Sequence, residues 1–272
     1  MKHEDASPTK LTYLLAFVAG GFLPLAFAPV NFFPLAFFLP AVLFYLWRNS
    51  SAIQAAKIGF FFGLGVFGVG VSWVYVAIHE FGLSSVAVAT LLTTLFVSVL
   101  AVCIAMQGYI SQSLVLRYSK SNTVNLLIIY PACWVLMEWF RGWFLTGFPW
   151  LNLGYSQVDT VLAGYAPVIG VYGISWVIVF ISGLLLLLNK ELKTNFSLVS
   201  SIIIILVAGL ILSKVEWTET KDKPLQVALI QGNMPQHTKW DAGAVAQRVE
   251  QYARLTRKHW DNDLVIWPEN SM

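Results

Sequence analysis

Residues 84–116 read SSVAVATLLTTLFVSVLAVCIAMQGYISQSLVL, a run that contains no Asp, Glu, Lys or Arg. A soluble helix would carry charged residues along its solvent-facing side, whereas an apolar run longer than about 18 residues is typical of a membrane span. The whole chain has the same character, because 57% of its 272 residues are hydrophobic and only 11% are charged. Soluble domains carry about 25% charged residues. The sequence therefore predicts a mainly α-helical membrane protein.

Apolar stretches that approach the length of a membrane crossing, roughly 17–25 residues, recur along the chain. The second is short and contains Pro34 and Pro40, whereas the fourth, quoted above, is long enough to tilt. Together they predict a seven-helix transmembrane bundle over residues 1–213. The predicted spans are 11–28, 32–47, 52–78, 84–116, 124–140, 164–188 and 196–212.

The placement of Lys and Arg predicts the orientation of this bundle. Short cytoplasmic loops of membrane proteins are enriched in these two residues. Alternate segments, beginning with the N-terminus, carry eight of them, whereas the intervening segments carry only Arg141. This asymmetry predicts a cytoplasmic N-terminus, and an odd number of crossings then places the chain after about Ser213 on the opposite side. The eight residues are Lys2, Lys10, Arg48, Lys57, Arg117, Lys120, Lys190 and Lys193.

The third predicted span is rich in glycine. Gly59, Gly63, Gly65, Gly68 and Gly70 are expected to thin one side of this helix, so that a neighbouring helix can approach closely. Simple helix packing is the expected role of that side.

Two ionisable residues lie at the end of the fifth predicted span. Glu138 and Arg141 stand three residues apart, close enough on a helix to pair. Ionisable groups at membrane depth are expensive and mark functional sites, so a structural ion pair and a functional role both stay open. The segment that follows, 142–157, combines Gly, Pro, Trp and Tyr. It predicts an interfacial, partly re-entrant loop.

The composition changes at the end of the last span. Residues 214–224 are rich in charge and predict a linker, after which 225–272 predict a soluble segment. A short β-type run comes first, then a helix with a candidate N-cap at Asp241, then a second strand at 263–267. Strand, helix and strand in this order are typical of the opening of an α/β sheet. The apolar face of the helix is predicted to comprise Val245, Val249, Tyr252 and Leu255.

Several kinds of site are excluded by the remaining residues. Cys103 and Cys133 both lie in apolar stretches, where a buried thiol is common. No CxxC or Cys/His spacing indicates a metal site. The basic residues are scattered between apolar runs, so no nucleic-acid surface is indicated. We therefore expect no metal, no dissociable cofactor and no nucleic-acid partner.

Three stretches carry a family resemblance. Two lie in the bundle, GFFFGLGVFGVGVSWVYVAIHEFG at 59–82 and WVLMEWFRGWFLTGFPWLNLGYSQ at 134–157. The third joins VALIQGNMPQHTKW at 227–240 to LVIWPEN at 264–270. With these stretches the chain resembles, over its whole length, the apolipoprotein N-acyltransferases of bacterial inner membranes. The resemblance implies that 225–272 form the first β-α-β unit of a nitrilase-like α/β domain.

The resemblance also implies an activity and its partners. An enzyme of this family moves an acyl chain from a phospholipid to the α-amino group of a diacylglyceryl-cysteine at the N-terminus of a lipoprotein, through a thioester. A Glu-Lys-Cys triad is implied, in which Glu269 matches the catalytic base. Trp240 matches a tryptophan that helps to place the substrate. The implied location is the bacterial inner membrane, with the C-terminal segment in the periplasm; the oligomeric state stays open.

The catalytic lysine and cysteine implied by the resemblance have no match within residues 1–272. Cys103 and Cys133 lie on membrane elements and cannot replace the nucleophile. We therefore expect this chain alone to be inactive, as an enzyme cut within its nitrilase-like domain. One alternative is a split partner that completes the sheet with a separately made remainder. Another is a multispan transporter or lipid-binding membrane protein with a short periplasmic tail, although the internal repeats of transporters are not evident.

Overall fold

The computed structural model describes residues 8–188, 192–220, 223–233, 243, 245–269 and 271. It separates into two compact units. The first unit comprises residues 1–76 and 85–217, and the second comprises 77–84 and 218–272. Each unit has its own hydrophobic core.

The first unit is built from helices. Short 3-10 or π turns join them at Leu23–Ala26, Asn125–Ile129, Phe144–Thr146, Leu153–Gln157 and Val161–Tyr165. The α-helices are α1 (Lys10–Phe22), α2 (Leu35–Trp47), α3 (Ala52–Gly70), α4 (Trp73–Val76), α5 (Val86–Tyr118), α6 (Asn122–Val124), α7 (Tyr130–Arg141), α8 (Ala166–Leu187) and α9 (Leu192–Leu212).

Five helical segments in the described residues are long and apolar enough to cross a membrane. They are Ala52–Gly70, Val86–Tyr118, Asn122–Arg141, Val161–Leu187 and Asn195–Leu212. The first two predicted spans form shorter apolar helices, Lys10–Ala26 and Leu35–Trp47. At 1.5 Å per residue, the 13 residues of α2 extend roughly 20 Å, less than the roughly 30 Å of a hydrocarbon core. The count of seven crossings stays a prediction for these two helices.

Aromatic side chains pack α2 against α7 in the core of the first unit. The ring centroid of Tyr130 lies 5.0 Å from that of Phe44 and 5.7 Å from that of Trp47, and all three side chains are buried. The polar atoms of these rings have partners, as buried polar groups require. The Tyr130 hydroxyl donates to Gln112 Oε1 at 3.0 Å, and the Trp47 indole donates to the Ala55 carbonyl at 3.0 Å.

The glycines of α3 allow close approach on two sides of the helix. A Cβ at Gly63 would lie 2.7 Å from Ala101 Cα, so this residue lies directly against the backbone of α5. A Cβ at Gly65 would lie 2.1 Å from the Phe17 carbonyl oxygen, so that residue lies against the backbone of α1. The expectation of a single thinned side was wrong. Glycines two residues apart point in different directions around a helix, and both neighbours of α3 use them.

Substituting these glycines should separate close contact from helix propensity. Gly65→Ala places its new methyl against fixed backbone atoms, and we expect it to destabilise the chain by about 1–3 kcal/mol, the usual range for overpacking. Gly68→Ala is the matched control, because a Cβ there meets nothing within 4 Å. It should leave stability unchanged or slightly raised, since Ala is the better helix former. The unfolding midpoint of each variant in detergent measures its stability. Equal shifts in the two variants would contradict the close contact assigned to Gly65.

The second unit contains a strand, a helix and a strand. Strand β1 (Val227–Leu229) pairs in parallel with β2 (Leu264–Ile266), and α10 (Val245–Arg257) lies between them in sequence. This is the predicted order, and parallel pairing requires such a crossover connection. The core of this unit comprises Ala228, Ile230 and Tyr252, with Leu255, Val265 and Trp267 packed against them.

Only half of the predicted apolar face of α10 packs in that core. Tyr252 is buried and Leu255 partly buried, whereas Val245 and Val249 are exposed. The observed helix begins at Val245, and the predicted N-cap at Asp241 lies outside the described residues.

Candidate functional site

The end of α7 carries a buried arginine that organises the following loop. Arg141 is 6% exposed. Its guanidinium donates to the Phe148 carbonyl at 2.7 Å, to the Trp150 carbonyl, and to Asn152 Oδ1 at 2.6 Å. A guanidinium has several donors in one rigid plane, so it can hold separate acceptors of a folded-back segment together. This one side chain therefore fixes three points of the loop 142–157 to the end of α7.

Glu138 holds the same loop from one turn earlier in α7. It is 5% exposed, and its Oε1 accepts hydrogen bonds from the Trp134 indole at 2.9 Å and from the Leu153 backbone N–H at 2.8 Å. The structural ion pair, one of the two interpretations left open, is not formed, since Glu138 and Arg141 make no carboxylate–guanidinium contact within 4.0 Å in the described chain. Each charge instead bonds to the loop, because buried charges need hydrogen-bonding partners.

A third attachment of this loop comes from α8. Ser175 is fully buried, and its hydroxyl accepts a hydrogen bond from the Gly154 backbone N–H at 2.8 Å. The sequence reasoning did not single out Ser175 or Asn152. The available signal was that both residues are polar and lie among apolar neighbours in the sequence. A polar side chain buried in such a setting needs a hydrogen-bond partner.

The loop adopts backbone conformations that side chains other than glycine rarely take. Leu145, Thr146 and Leu151 have φ angles of 51°, 73° and 61°. Each such conformation costs on the order of 1–3 kcal/mol and persists only where surrounding contacts hold the backbone in it. Conformations of this kind cluster at functional sites. The bonds from Glu138 and Arg141 supply such contacts.

A cavity of about 690 Å³ lies against this loop. Its walls include Trp73, Trp150, Leu151 and Tyr155, together with Pro24 in the turn that follows α1. The rings of Trp73 and Trp150 are 5.8 Å apart. Small-molecule sites have volumes of roughly 300–1,000 Å³ and largely apolar, aromatic walls. The geometry therefore suits an apolar chain or a lipid group.

The two cysteines are placed as the sequence predicted. Cys103 on α5 and Cys133 on α7 are both 6% exposed and free. Reactive thiols need a partly exposed, electropositive setting, and burial denies both of these thiols the required exposure. Within the described residues, no three His, Cys, Asp or Glu side chains cluster as metal ligands.

The second unit carries the predicted catalytic carboxylate. Glu269 is exposed and lies three residues after the end of β2, at the carboxyl end of a parallel strand pair. Ligands of open α/β sheets bind outside the carboxyl ends of the strands. Trp240, the other predicted site residue, lies outside the residues that the structure describes, so its proximity to Glu269 stays a prediction.

Comparison with known proteins identifies the family. The family model described as Apolipoprotein N-acyltransferase N-terminal domain matches residues 19–184, a range that includes α3, α5, α7 and the loop held by Arg141. The chain belongs to the apolipoprotein N-acyltransferase family. Several of its helices are long and apolar enough to cross a membrane.

Relatives that carry the family name match almost the whole chain. A protein named apolipoprotein N-acyltransferase from Methylococcus capsulatus is 44% identical over 95% of this chain and 51% of its own length. One from Coxiella burnetii is 45% identical over 94% of this chain and 53% of its own length. One from Pseudomonas syringae pv. tomato is 38% identical over 95% of this chain. The chain thus spans about half the length of the curated relatives that it matches.

Proposed function

We propose that this chain supplies the membrane part and the catalytic base of an apolipoprotein N-acyltransferase. The observation that carries the proposal is the family match over residues 19–184, together with relatives of that name at 44–45% identity over nearly the whole chain. The proposed reaction transfers an acyl chain from a phospholipid to the α-amino group of a diacylglyceryl-cysteine on a lipoprotein. The family match favours this activity over the transporter alternative.

The proposed chemistry has two half-reactions. In the first, the Glu269 carboxylate takes the proton from a cysteine thiol, the thiolate attacks the ester carbonyl of the phospholipid, and the lysophospholipid leaves with that proton. In the second, the α-amino group of the lipoprotein attacks the thioester and its proton passes to Glu269, which hands it to the departing thiolate, so that the thiol and the carboxylate are both restored. A lysine ammonium stabilises the oxyanion in both steps. Family resemblance implies this lysine and cysteine, and neither has a match in residues 1–272.

The membrane part is proposed to hold the lipid substrates. The aromatic cavity beside the loop of Arg141 has the size and apolar walls that an acyl chain or a diacylglyceryl group needs. We assign Trp240 to the placement of the substrate near Glu269. The proposed location is the bacterial inner membrane, with a cytoplasmic N-terminus on the side rich in Lys and Arg and Glu269 in the periplasm.

A chimera tests this proposal. Residues 1–272 are joined to the C-terminal part of the Coxiella burnetii relative that the match does not cover, and the product is compared with residues 1–272 alone. Labelled phospholipid and a diacylglyceryl-cysteine peptide serve as substrates. We expect the chimera to transfer the label through a hydroxylamine-sensitive acyl-enzyme and residues 1–272 alone to transfer none, because Cys103 and Cys133 are buried in the bundle.

Two outcomes would contradict the proposal. Transfer by residues 1–272 alone would show that the nucleophile was assigned to the wrong part of the protein. A chimera that inserts into membranes and melts cooperatively, yet transfers no acyl chain, would show that this membrane part does not support the reaction.

A further inference from the structure

A second cavity of about 660 Å³ lies at the other end of α7 from Arg141. It is bounded by the turn between α2 and α3, by the last turns of α5, and by the connection that leads to α7. From Asn125 on its wall to Arg141, the helical chain rises roughly 24 Å at 1.5 Å per residue. This cavity is therefore separate from the aromatic cavity beside the loop of Arg141.

Buried hydrogen bonds hold the floor of this cavity in place. Gln112, which is 1% exposed, donates from Nε2 to the Ser50 carbonyl at 2.7 Å and accepts from the Tyr130 hydroxyl at 3.0 Å. These bonds fix the α2–α3 turn and α7 to α5. The opposite edge of the turn is fixed by a capping box, in which Ser51 and Gln54 satisfy each other's backbone N–H groups. The helix ends that surround the cavity are therefore held in fixed positions by hydrogen bonds.

Two cations line the cavity without a compensating carboxylate. Arg48 follows the end of α2, and Lys120 follows the end of α5; both are exposed. Neither forms an ion pair within 4.0 Å with a carboxylate of the described residues. The remaining wall is largely uncharged and polar, with the amides of Asn49 and Asn122 among its groups. Such a set of donors suits a phosphate, which takes charged and neutral hydrogen bonds together.

The surroundings indicate that the phosphate belongs to a lipid. Leu116, on the last turn of α5, lines the cavity and is 65% exposed. An apolar flank next to a cationic pocket at a helix end matches the two parts of a phospholipid, with acyl chains along the helix and the headgroup in the pocket. Basic pockets between the ends of membrane helices bind anionic headgroups in this way.

We propose that this cavity binds the phosphate headgroup of an anionic phospholipid, held by Arg48 and Lys120. The site lies on the Lys- and Arg-rich end of the bundle and takes no part in the proposed acyl transfer. It would anchor the ends of α2, α5 and α7 to the membrane surface.

Lipid binding to residues 1–272 in detergent micelles tests the proposal, with native mass spectrometry as the readout. The added probes are phosphatidylglycerol, phosphatidylcholine and inorganic phosphate. We expect retained phosphatidylglycerol to exceed phosphatidylcholine by roughly thirtyfold, since the attractions of two basic residues to a net-negative headgroup add. The double variant Arg48→Gln with Lys120→Gln should lose this preference.

Matched variants separate the site from general charge and from unfolding. Lys57→Gln with Arg117→Gln removes the same charge from exposed residues that do not line the cavity, and it should keep the preference. Arg48→Lys with native Lys120 keeps both charges and should also keep it. An equal loss in the Lys57/Arg117 variant, the absence of any preference in the unmodified chain, or displacement of phosphatidylglycerol by millimolar inorganic phosphate would each overturn the proposal of a lipid site.

Discussion

Replacing Glu269 by Gln in the chimera described above is expected to abolish formation of the thioester acyl-enzyme. Gln is nearly isosteric with Glu but cannot accept a proton from the thiol, and loss of a general base lowers rates by about 10²–10⁴-fold. Glu269 is exposed at the end of β2 and is not part of a hydrophobic core, so the variant should fold and insert normally. Labelled acyl-enzyme, measured after a single turnover, is the readout.

The control for this variant lies in the same unit. Glu250→Gln removes an exposed carboxylate of α10 that pairs with Arg257 at 3.3 Å, and exposed pairs of this kind contribute little. We expect normal acyl-enzyme in this control. Labelling of the Glu269 variant at the normal rate would show that another group accepts the thiol proton.

Replacing Arg141 by Met is expected to produce the largest loss of stability among single substitutions in the bundle. Met preserves much of the length and the apolar stem but leaves the Phe148 and Trp150 carbonyls and Asn152 without their donor. It also leaves the buried Glu138 without a nearby positive charge. Each buried acceptor that loses its donor costs about 1–3 kcal/mol, so the total loss should amount to several kcal/mol. The free energy of unfolding in mixed detergent micelles measures the effect.

Two further variants test the reason for this loss. Arg141→Lys keeps the charge but lacks the planar fork that reaches several acceptors, so its stability should fall between those of the parent and the Met variant. Arg117→Met removes an exposed cation whose guanidinium carbon lies 5.3 Å from the centroid of the Tyr118 ring, and it should change stability by less than about 0.5 kcal/mol. Equal losses at Arg117 and Arg141 would contradict the assigned role of the Arg141 hydrogen bonds.

Hydropathy located the long helices well because nearly every residue of a membrane span has to be apolar, and that property is visible in the sequence. The predicted fourth span, 84–116, corresponds to α5 at Val86–Tyr118, and the last, 196–212, corresponds to the end of α9. In the second unit, two short β-type runs and the helical spacing of apolar residues between them predicted β1, α10 and β2 in the correct order. Each of these features depends on residues that are neighbours in sequence.

The site was predicted less completely. Glu138 and Arg141 were recognised as unusual, but their spacing along a helix suggested a mutual contact that the structure does not have. Their partners lie in a loop whose backbone takes positive φ angles at Leu145, Thr146 and Leu151. No local pattern predicts such angles for Leu and Thr, because they are imposed by the contacts of the loop with α7 and α8.

The sequence by itself determined that the chain has membrane-length helices, a strand–helix–strand segment after them, and a carboxylate at the end of the second strand. Those properties follow from hydropathy, periodicity and residue order. Only the tertiary structure decided that α3 uses glycines against both α1 and α5, that Glu138 and Arg141 bind a loop instead of each other, and that two cations share a cavity with no carboxylate. Those properties arise where segments distant in sequence meet, and the free energy of each contact depends on which partner is within reach.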